Sequence, residues 1–218
     1  QHAIGIPGTF GGLILMNGGS QRKSVGSVVT KVWGCSLDGE AFERGQADCQ
    51  FRYRGSTLQD DQLIVLGAEL ALEHEDSSAL RREMVEILRD RRRKFPKNLP
   101  NCGSVFLSDP AMYNVVGPPG AAIESAGLKG RCMGGAQISP LHANFIVNVG
   151  GAKSSEILYL IHLIRTEVYE RTGFWMDSEV RHVERDGRVR AAHVAAAERA
   201  LFSPGLVADQ EHPLQDLG

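Results

Sequence analysis

No two cysteines in this chain are spaced to form a metal knuckle. Cys35, Cys49, Cys102 and Cys132 stand far apart, with no C-x-x-C pair and no adjoining histidine. That argues against structural zinc and a disulfide framework, and favours a reducing compartment. The seven histidines also lack ligand spacing, so no metal is expected. An excess of one charge is missing too: 24 Lys and Arg face 26 Asp and Glu, a formal net charge of -2. A nucleic-acid binder would show a strongly basic face, so no nucleic-acid partner is expected. No apolar run is long enough to cross a bilayer, and no signal peptide is visible. The expected setting is cytoplasmic, with no membrane partner. Nothing in the pattern speaks to oligomeric state.

What is present fits a globular chain. With 42% hydrophobic and 23% charged residues over 218 positions, the sequence can build one large core or two small ones. One basic cluster, Arg89 and Arg91 to Lys94, follows a helical pattern. Cations suit the negative pole of a helix, so a solvated helix end competes with a phosphate-holding role.

The opening stretch carries Gly5, Gly8, Gly11, Gly12, Gly18 and Gly19, a density that serves turns or close backbone approach. Residues 25–32 and 62–72 are β-branched or apolar with partial alternation, as strands require. Residues 36–40 between them read as a hairpin turn, so the first 72 residues form a β-rich lobe. A helix is predicted over 79–94, capped by Ser77 or Ser78, with Leu80, Met84, Ile87 and Leu88 on one face. Pro96 and Pro100 end it. A short helix over 120–125 and a strand over 144–149 follow. A second long helix starts at Ser154 or Ser155, with Glu156 in its first turn. Its stripe is Ile157, Ile161, Ile164 and Val168, and Gly173 stops it. A last strand should carry Glu179 and residues 180–183. An alanine-rich peripheral helix is predicted over 191–201, and the tail from Ser203 reads as disordered.

Three polar residues sit at the edges of apolar runs: Arg54, Ser104 and Glu179. Singly each has an ordinary reading, as a strand-end arginine, a turn serine after glycine, and half of a surface ion pair with Arg181. Together, a guanidinium, a hydroxyl and a carboxylate could meet one small anionic substrate. Ser104 is not in a G-x-S-x-G elbow, so an acyl-transfer triad is poorly supported. The run G-I-P-G-T-F-G-G at 5–12 could cradle a phosphate through its backbone N–H groups. It lacks the Walker ending and a preceding strand, so on glycine content alone a structural turn is favoured over a cofactor loop.

The ordered strings change that balance. They are G-I-P-G-T-F-G-G at 5–12, M-N-G-G at 16–19, Y-R-G-S at 53–56 and C-G-S-V-F at 102–106. G-L-K-G at 127–130, G-G-A-Q-I-S at 134–139, H-A-N-F-I-V-N at 142–148 and E-V-R at 179–181 follow. In this order the chain closely resembles the UDP-N-acetylenolpyruvoylglucosamine reductases of peptidoglycan synthesis. The resemblance implies an α+β fold: the remnant of a PCMH-type FAD-binding lobe, then a substrate-binding C-terminal domain of the reductase type. The expected divisions are 1–75 for the flavin lobe and 76–97 for a connecting helix. The substrate domain follows at 98–185, then a peripheral helix and tail at 186–218.

It further implies a flavoprotein using FAD and NADPH on an enolpyruvyl ether of a UDP-sugar. Arg54 would stabilise the enolate-like oxygen with Glu179 assisting, and Ser104 would return the proton. Ile6, Pro7, Gly8, Thr9, Gly12 and Asn17 match the flavin-approaching segment. Tyr53, Lys94 and Asp109 are the expected substrate-binding residues. Family members carry a further lobe before the G-I-P-G-T string, so the chain is expected to be N-terminally incomplete. The run from Phe106 to Pro110 is one residue longer than the family's usual spacing. The competing readings are another FAD-dependent oxidoreductase of the same flavin fold and a non-catalytic sugar-nucleotide-binding remnant.

Overall fold

The computed structural model describes residues 3–20 and 23–202. It divides into two compact units, Gln1–Arg93 and Lys94–Gly218. The predicted disorder from Ser203 lies outside the described residues.

The first unit begins with a short helix, α1 (Phe10–Leu15), whose N-cap Thr9 accepts from the Gly12 N–H through Oγ1 at 3.1 Å. The glycines at 11 and 12 masked this helix in the sequence, because they are poor helix formers away from a cap. β1 (Gly19–Ser20) pairs antiparallel with β2 (Lys23–Ser24), which leads into a 3₁₀ turn at Val25–Ser27. The strand expected over 25–32 therefore starts later, as β3 (Val29–Cys35). The reason is local: the Gly26 N–H donates to Asn17 Oδ1 at 2.9 Å, which ties residue 26 into the turn.

β3 pairs antiparallel with β4 (Ala41–Gly45) and β5 (Ile64–Leu70), in the order β4-β3-β5. The turn at 36–40 closes as read, with the Ser36 N–H donating to Glu40 O at 2.8 Å. β4 went unrecognised because Ala-Phe-Glu-Arg-Gly offers one large apolar residue. A single turn, α2 (Thr57–Asp60), buries Leu58 beside Ile14, Val25, Val29 and Val32 in this unit's core. The long helix α3 (Ser77–Lys94) buries only Ile87, with Leu80, Met84 and Leu88 half-buried along the same stripe. Its first turn is capped by Asp76, whose Oδ1 accepts from the Ala79 N–H at 2.7 Å, rather than by either serine. A carboxylate suits this end because it also opposes the helix dipole.

The second unit carries α4 (Pro110–Val115), α5 (Pro119–Ser125), β6 (Cys132–Met133), β7 (Ala136–Ile138) and β8 (Ile146–Asn148). Then come α6 (Ser154–Thr172), β9 (Arg181–Val183), β10 (Val189–Ala191) and α7 (Ala192–Phe202). β6, β7 and β8 form one antiparallel sheet, and β9 and β10 a separate hairpin. α6 begins where the Glu156 carboxylate accepts from the Lys153 N–H at 2.9 Å and from the Gly135 N–H at 3.1 Å. Neither serine is its cap. Gly173 ends it in the left-handed conformation, φ 72, that only glycine adopts cheaply.

Leu158, Leu160, Ile161, Ile164 and Val168 of α6 are buried with Phe106, Met112, Ile123, Ile138 and Ile146. Ile157 packs at the edge of that cluster. The alanine-rich α7 is not peripheral: Ala192, Ala195 and Ala196 are buried in the same cluster. Small side chains let two helices approach closely, so alanine here serves packing and not only helix propensity.

Candidate active site

In the first unit, Arg54 lies at the tip of a tight turn closed by reciprocal backbone bonds between Arg52 and Gly55, at 3.0 and 3.2 Å. It is a non-glycine residue in left-handed conformation, φ 54. Its guanidinium lies 5.1 Å over the Tyr53 ring, and Nη1 donates to Gly19 O at 3.4 Å. Tyr53 itself is 55% exposed. The turn is fixed from below by Asn17. Its Nδ2 donates to Arg52 O at 3.0 Å while Oδ1 takes the Gly26 N–H. Asn17 was expected to meet the flavin; the structure shows its buried carboxamide bridging two backbone segments. Pro7, Gly8 and Thr9 are exposed ahead of α1, with Ile6 half-buried. Nothing lies within 4 Å of where a Cβ on Gly8 would stand, whereas one on Gly12 would sit 3.2 Å from Thr9 Oγ1.

In the second unit, Ser104 follows Gly103, which takes φ 87 to make the turn. Asn101 shapes that turn: its Nδ2 donates to Pro96 O and Leu99 O at 2.9 and 2.8 Å, and its Oδ1 accepts from the Gly103 N–H at 3.0 Å. Ser104 is half-buried. The next residues are pinned by Asn144, which is buried. Val105 N–H donates to Asn144 O at 2.8 Å, Phe106 N–H to Asn144 Oδ1 at 2.9 Å, and Asn144 Nδ2 to Phe106 O at 3.0 Å.

Glu179 arrives on the opposite flank of that strand-like piece. Its N–H donates to Val105 O at 2.8 Å, Phe106 bridges Ser178, and the Leu107 N–H donates to Asp177 O at 2.9 Å. Glu179 lies in the bend before β9 rather than within it, half-buried. The sequence-predicted serine and carboxylate are therefore carried on hydrogen-bonded neighbouring segments. Lys94 is exposed at the end of α3. Asp109 is exposed and caps α4, its Oδ1 accepting from the Ala111 N–H at 2.8 Å, so the structure gives it a local structural duty.

Several further residues support the site. Asn144 and Asn101 have no signature beyond lying in turn-rich strings. Arg165 on α6 is mostly covered; its Nε donates to Met176 O at 2.6 Å and its Nη2 lies 3.5 Å from Asp177 Oδ1. Burial holds this guanidinium's pKa below its usual value, against the pull of Asp177. His142 stacks on Phe95 at a ring separation of 5.5 Å and meets Phe145 edge-on at 5.1 Å. Burial lowers its pKa, and its Nδ1 accepts from the Asn144 N–H at 3.3 Å. Among the described residues no cluster of His, Cys, Asp and Glu could hold a metal ion. No described helix is long and apolar enough to cross a membrane.

By fold the chain is a two-unit α+β protein whose second unit presents a Gly-Ser turn and a carboxylate on paired segments. Residues 95–183 match the family model for the UDP-N-acetylenolpyruvoylglucosamine reductase C-terminal domain. UDP-N-acetylenolpyruvoylglucosamine reductase 1 of Corynebacterium glutamicum is 52% identical over 198 residues, covering 91% of this chain and 59% of that protein. The reductase of Synechococcus sp. is 41% identical over 182 residues, covering 83% and 57%. The crystal structure of the Thermus caldophilus enzyme aligns at a TM-score of 0.64 and 28% identity, over 80% of this chain and 61% of that one. The chain is similar to UDP-N-acetylenolpyruvoylglucosamine reductases along most of its length, and it spans 59% of the length of the Corynebacterium relative.

Proposed function

We propose that this chain carries the reacting residues of a UDP-N-acetylenolpyruvoylglucosamine reductase. The reaction would convert UDP-N-acetylglucosamine enolpyruvate to UDP-N-acetylmuramate, a peptidoglycan precursor. The observation that carries this reading is the pairing of the Ser104 turn with the Glu179 segment in a chain 52% identical to a named reductase. When bound, FAD supplies the hydride relay between NADPH and the vinyl carbon of the enolpyruvyl ether. The exposed 7–9 segment, with open space at Gly8, fits a backbone that must approach such a ring system. Ile6, Pro7, Gly8, Thr9 and Gly12 are the residues of this chain assigned to that contact.

The chain's own groups manage charge and one proton. Addition of hydride to the terminal vinyl carbon leaves an electron pair delocalised into the substrate carboxylate. Arg54 is assigned to that oxyanion, because a guanidinium can meet a carboxylate-like group with two parallel hydrogen bonds. Glu179 is assigned to the same charge-bearing end, where its carboxyl would donate a hydrogen bond when it carries a proton. Ser104 gives its hydroxyl proton to the neighbouring carbon and regains one from solvent. A serine is a weak acid, yet a carbanion-like carbon is basic enough to take its proton. Tyr53, Lys94 and Asp109 are assigned to the UDP-sugar.

The test uses the flavin-loaded protein with NADPH. Oxidation of NADPH should depend on added UDP-N-acetylglucosamine enolpyruvate and yield UDP-N-acetylmuramate. Oxidation at the same rate without that substrate would point to another flavin oxidoreductase. Failure to bind flavin or substrate would point to a remnant.

A further inference from the structure

The segment that carries Glu179 is gripped from both sides, and only one grip is explained by strand-like pairing with residues 105–107. The other comes from the first turn of α7. His193 Nδ1 accepts from the Ser178 N–H at 2.9 Å and lies 3.0 Å from Ser178 Oγ. The His193 N–H donates to that same Oγ at 3.1 Å, while Ser178 Oγ donates to Val180 O at 3.1 Å. Nε2 faces Asp177 Oδ1 at 3.4 Å, and the ring's side chain is only 17% exposed. The Ala192 N–H adds a bond to Val180 O at 3.1 Å. A ring nitrogen that accepts from a peptide N–H carries no proton, so this geometry selects the neutral Nε2–H form.

A serine, a histidine and an aspartate together invite comparison with a nucleophilic triad. The wiring rejects it. Ser178 is buried, its hydroxyl proton is engaged by a carbonyl, and the Nδ1 lone pair is taken by the backbone. The group is built to hold a peptide in place.

We propose that His193 is a positioning residue for Glu179. Its unprotonated Nδ1 anchors the Ser178 peptide, so that the next N–H stays on Val105 O beside the Ser104 turn. This rests on the role given to Glu179 above. Protonation would set a second donor against the Ser178 N–H and break the anchor. The charged groups acting on the ring are Arg165 of α6 and Asp177 of the anchored segment. On the adjoining β10, Arg190 is committed to Glu184 and Glu198, at 2.5 and 2.7 Å. Burial first, then Arg165, lower the ring's pKa, and Asp177 opposes them. The anchor is therefore engaged at neutral pH and released in acid.

The experiment follows the Ser178 and Glu179 amides and the His193 ring nitrogens by NMR across a pH titration. It compares the wild type with His193→Asn and His193→Phe. Asparagine places a non-titrating acceptor where Nδ1 stands; phenylalanine keeps a ring without one. Loss of the acceptor should cost the two amides about tenfold or more in exchange protection. His193→Phe should show that loss at all pH values, the wild type only below the ring's pKa, and His193→Asn at none. In flavin-loaded protein, substrate reduction should fall about tenfold or more in His193→Phe. Flavin reduction by NADPH should persist, and His193→Asn should recover most of the lost rate without the wild type's acid limb. Amides unmoved in His193→Phe would overturn the proposal whatever the rate. Should His193→Phe fail to fold, an amide titration that persists in His193→Asn overturns it equally. Glu179→Ala serves as the separate control, because glutamine would keep the hydrogen bond. If the amides respond but Glu179→Ala turns over like the wild type, the role of Glu179 is wrong and the catalytic meaning of the anchor falls with it.

Discussion

Arg54 pays a conformational penalty for its place in the turn. A non-glycine residue at φ 54 carries about 1 kcal/mol or more of backbone strain. The turn is nevertheless imposed, because Asn17 and the Arg52–Gly55 bonds fix both of its ends. Replacing Arg54 by glycine should therefore separate stability from function. The Arg54→Gly protein is expected to unfold at an equal or higher denaturant midpoint, gaining up to about 1 kcal/mol. Its substrate reduction should drop by about 100-fold or more, the scale typical of a lost oxyanion donor. Denaturant titration and steady-state turnover on the same samples check both halves. A loss of stability together with activity would assign the arginine a structural duty instead.

Between elements, one side chain does more than its size suggests. Asn144 ties the segment after Ser104 to the loop before β8 through a reciprocal pair of bonds to the Phe106 backbone. Asn144→Ala would leave a buried N–H and a buried C=O unpaired, at a cost of about 2–4 kcal/mol from two such groups. The expected readout is a lower chemical-denaturation midpoint with an unchanged m-value. This tie was not legible in the sequence, because an asparagine between alanine and phenylalanine carries no periodic signal and its partner lies 38 positions away. The two long helices were legible, since Leu80, Met84, Ile87 and Leu88 on one, and Ile161, Ile164 and Val168 on the other, recur at helical spacing. Their caps were misread. Serines look like the better signal, yet Asp76 takes the Ala79 N–H of α3 and Glu156 the N–H of Lys153, the N-cap of α6. α1 and β4 escaped notice for opposite reasons, an excess of glycine and a shortage of apolar residues.

Across the molecule, acid sensitivity should be concentrated in the second unit. His142, His162 and His193 all lie there, and burial lowers the pKa of each below the ordinary value of 6.5. Between the folded and unfolded values, the unfolded chain binds more protons, so stability rises with pH through that window. It is fully present above about pH 6.5 and is lost as pH falls through the folded values. Thermal unfolding should show a lower midpoint at pH 5 than at pH 7.5, with probes in α6 and β8 reporting the loss. The candidate site was legible chiefly through eight ordered strings rather than through any one residue. Ser104 and Glu179 sit on paired segments, a fact that depends on long-range backbone bonds no local pattern encodes. The most direct measurement concerns the proton that Ser104 is assigned. In stopped-flow experiments on flavin-loaded Ser104→Ala protein, reduction of the flavin by NADPH should keep its wild-type rate. Its reoxidation by UDP-N-acetylglucosamine enolpyruvate should slow by about 100-fold or more. Equal loss in both half-reactions, or reoxidation at the wild-type rate, would contradict the account.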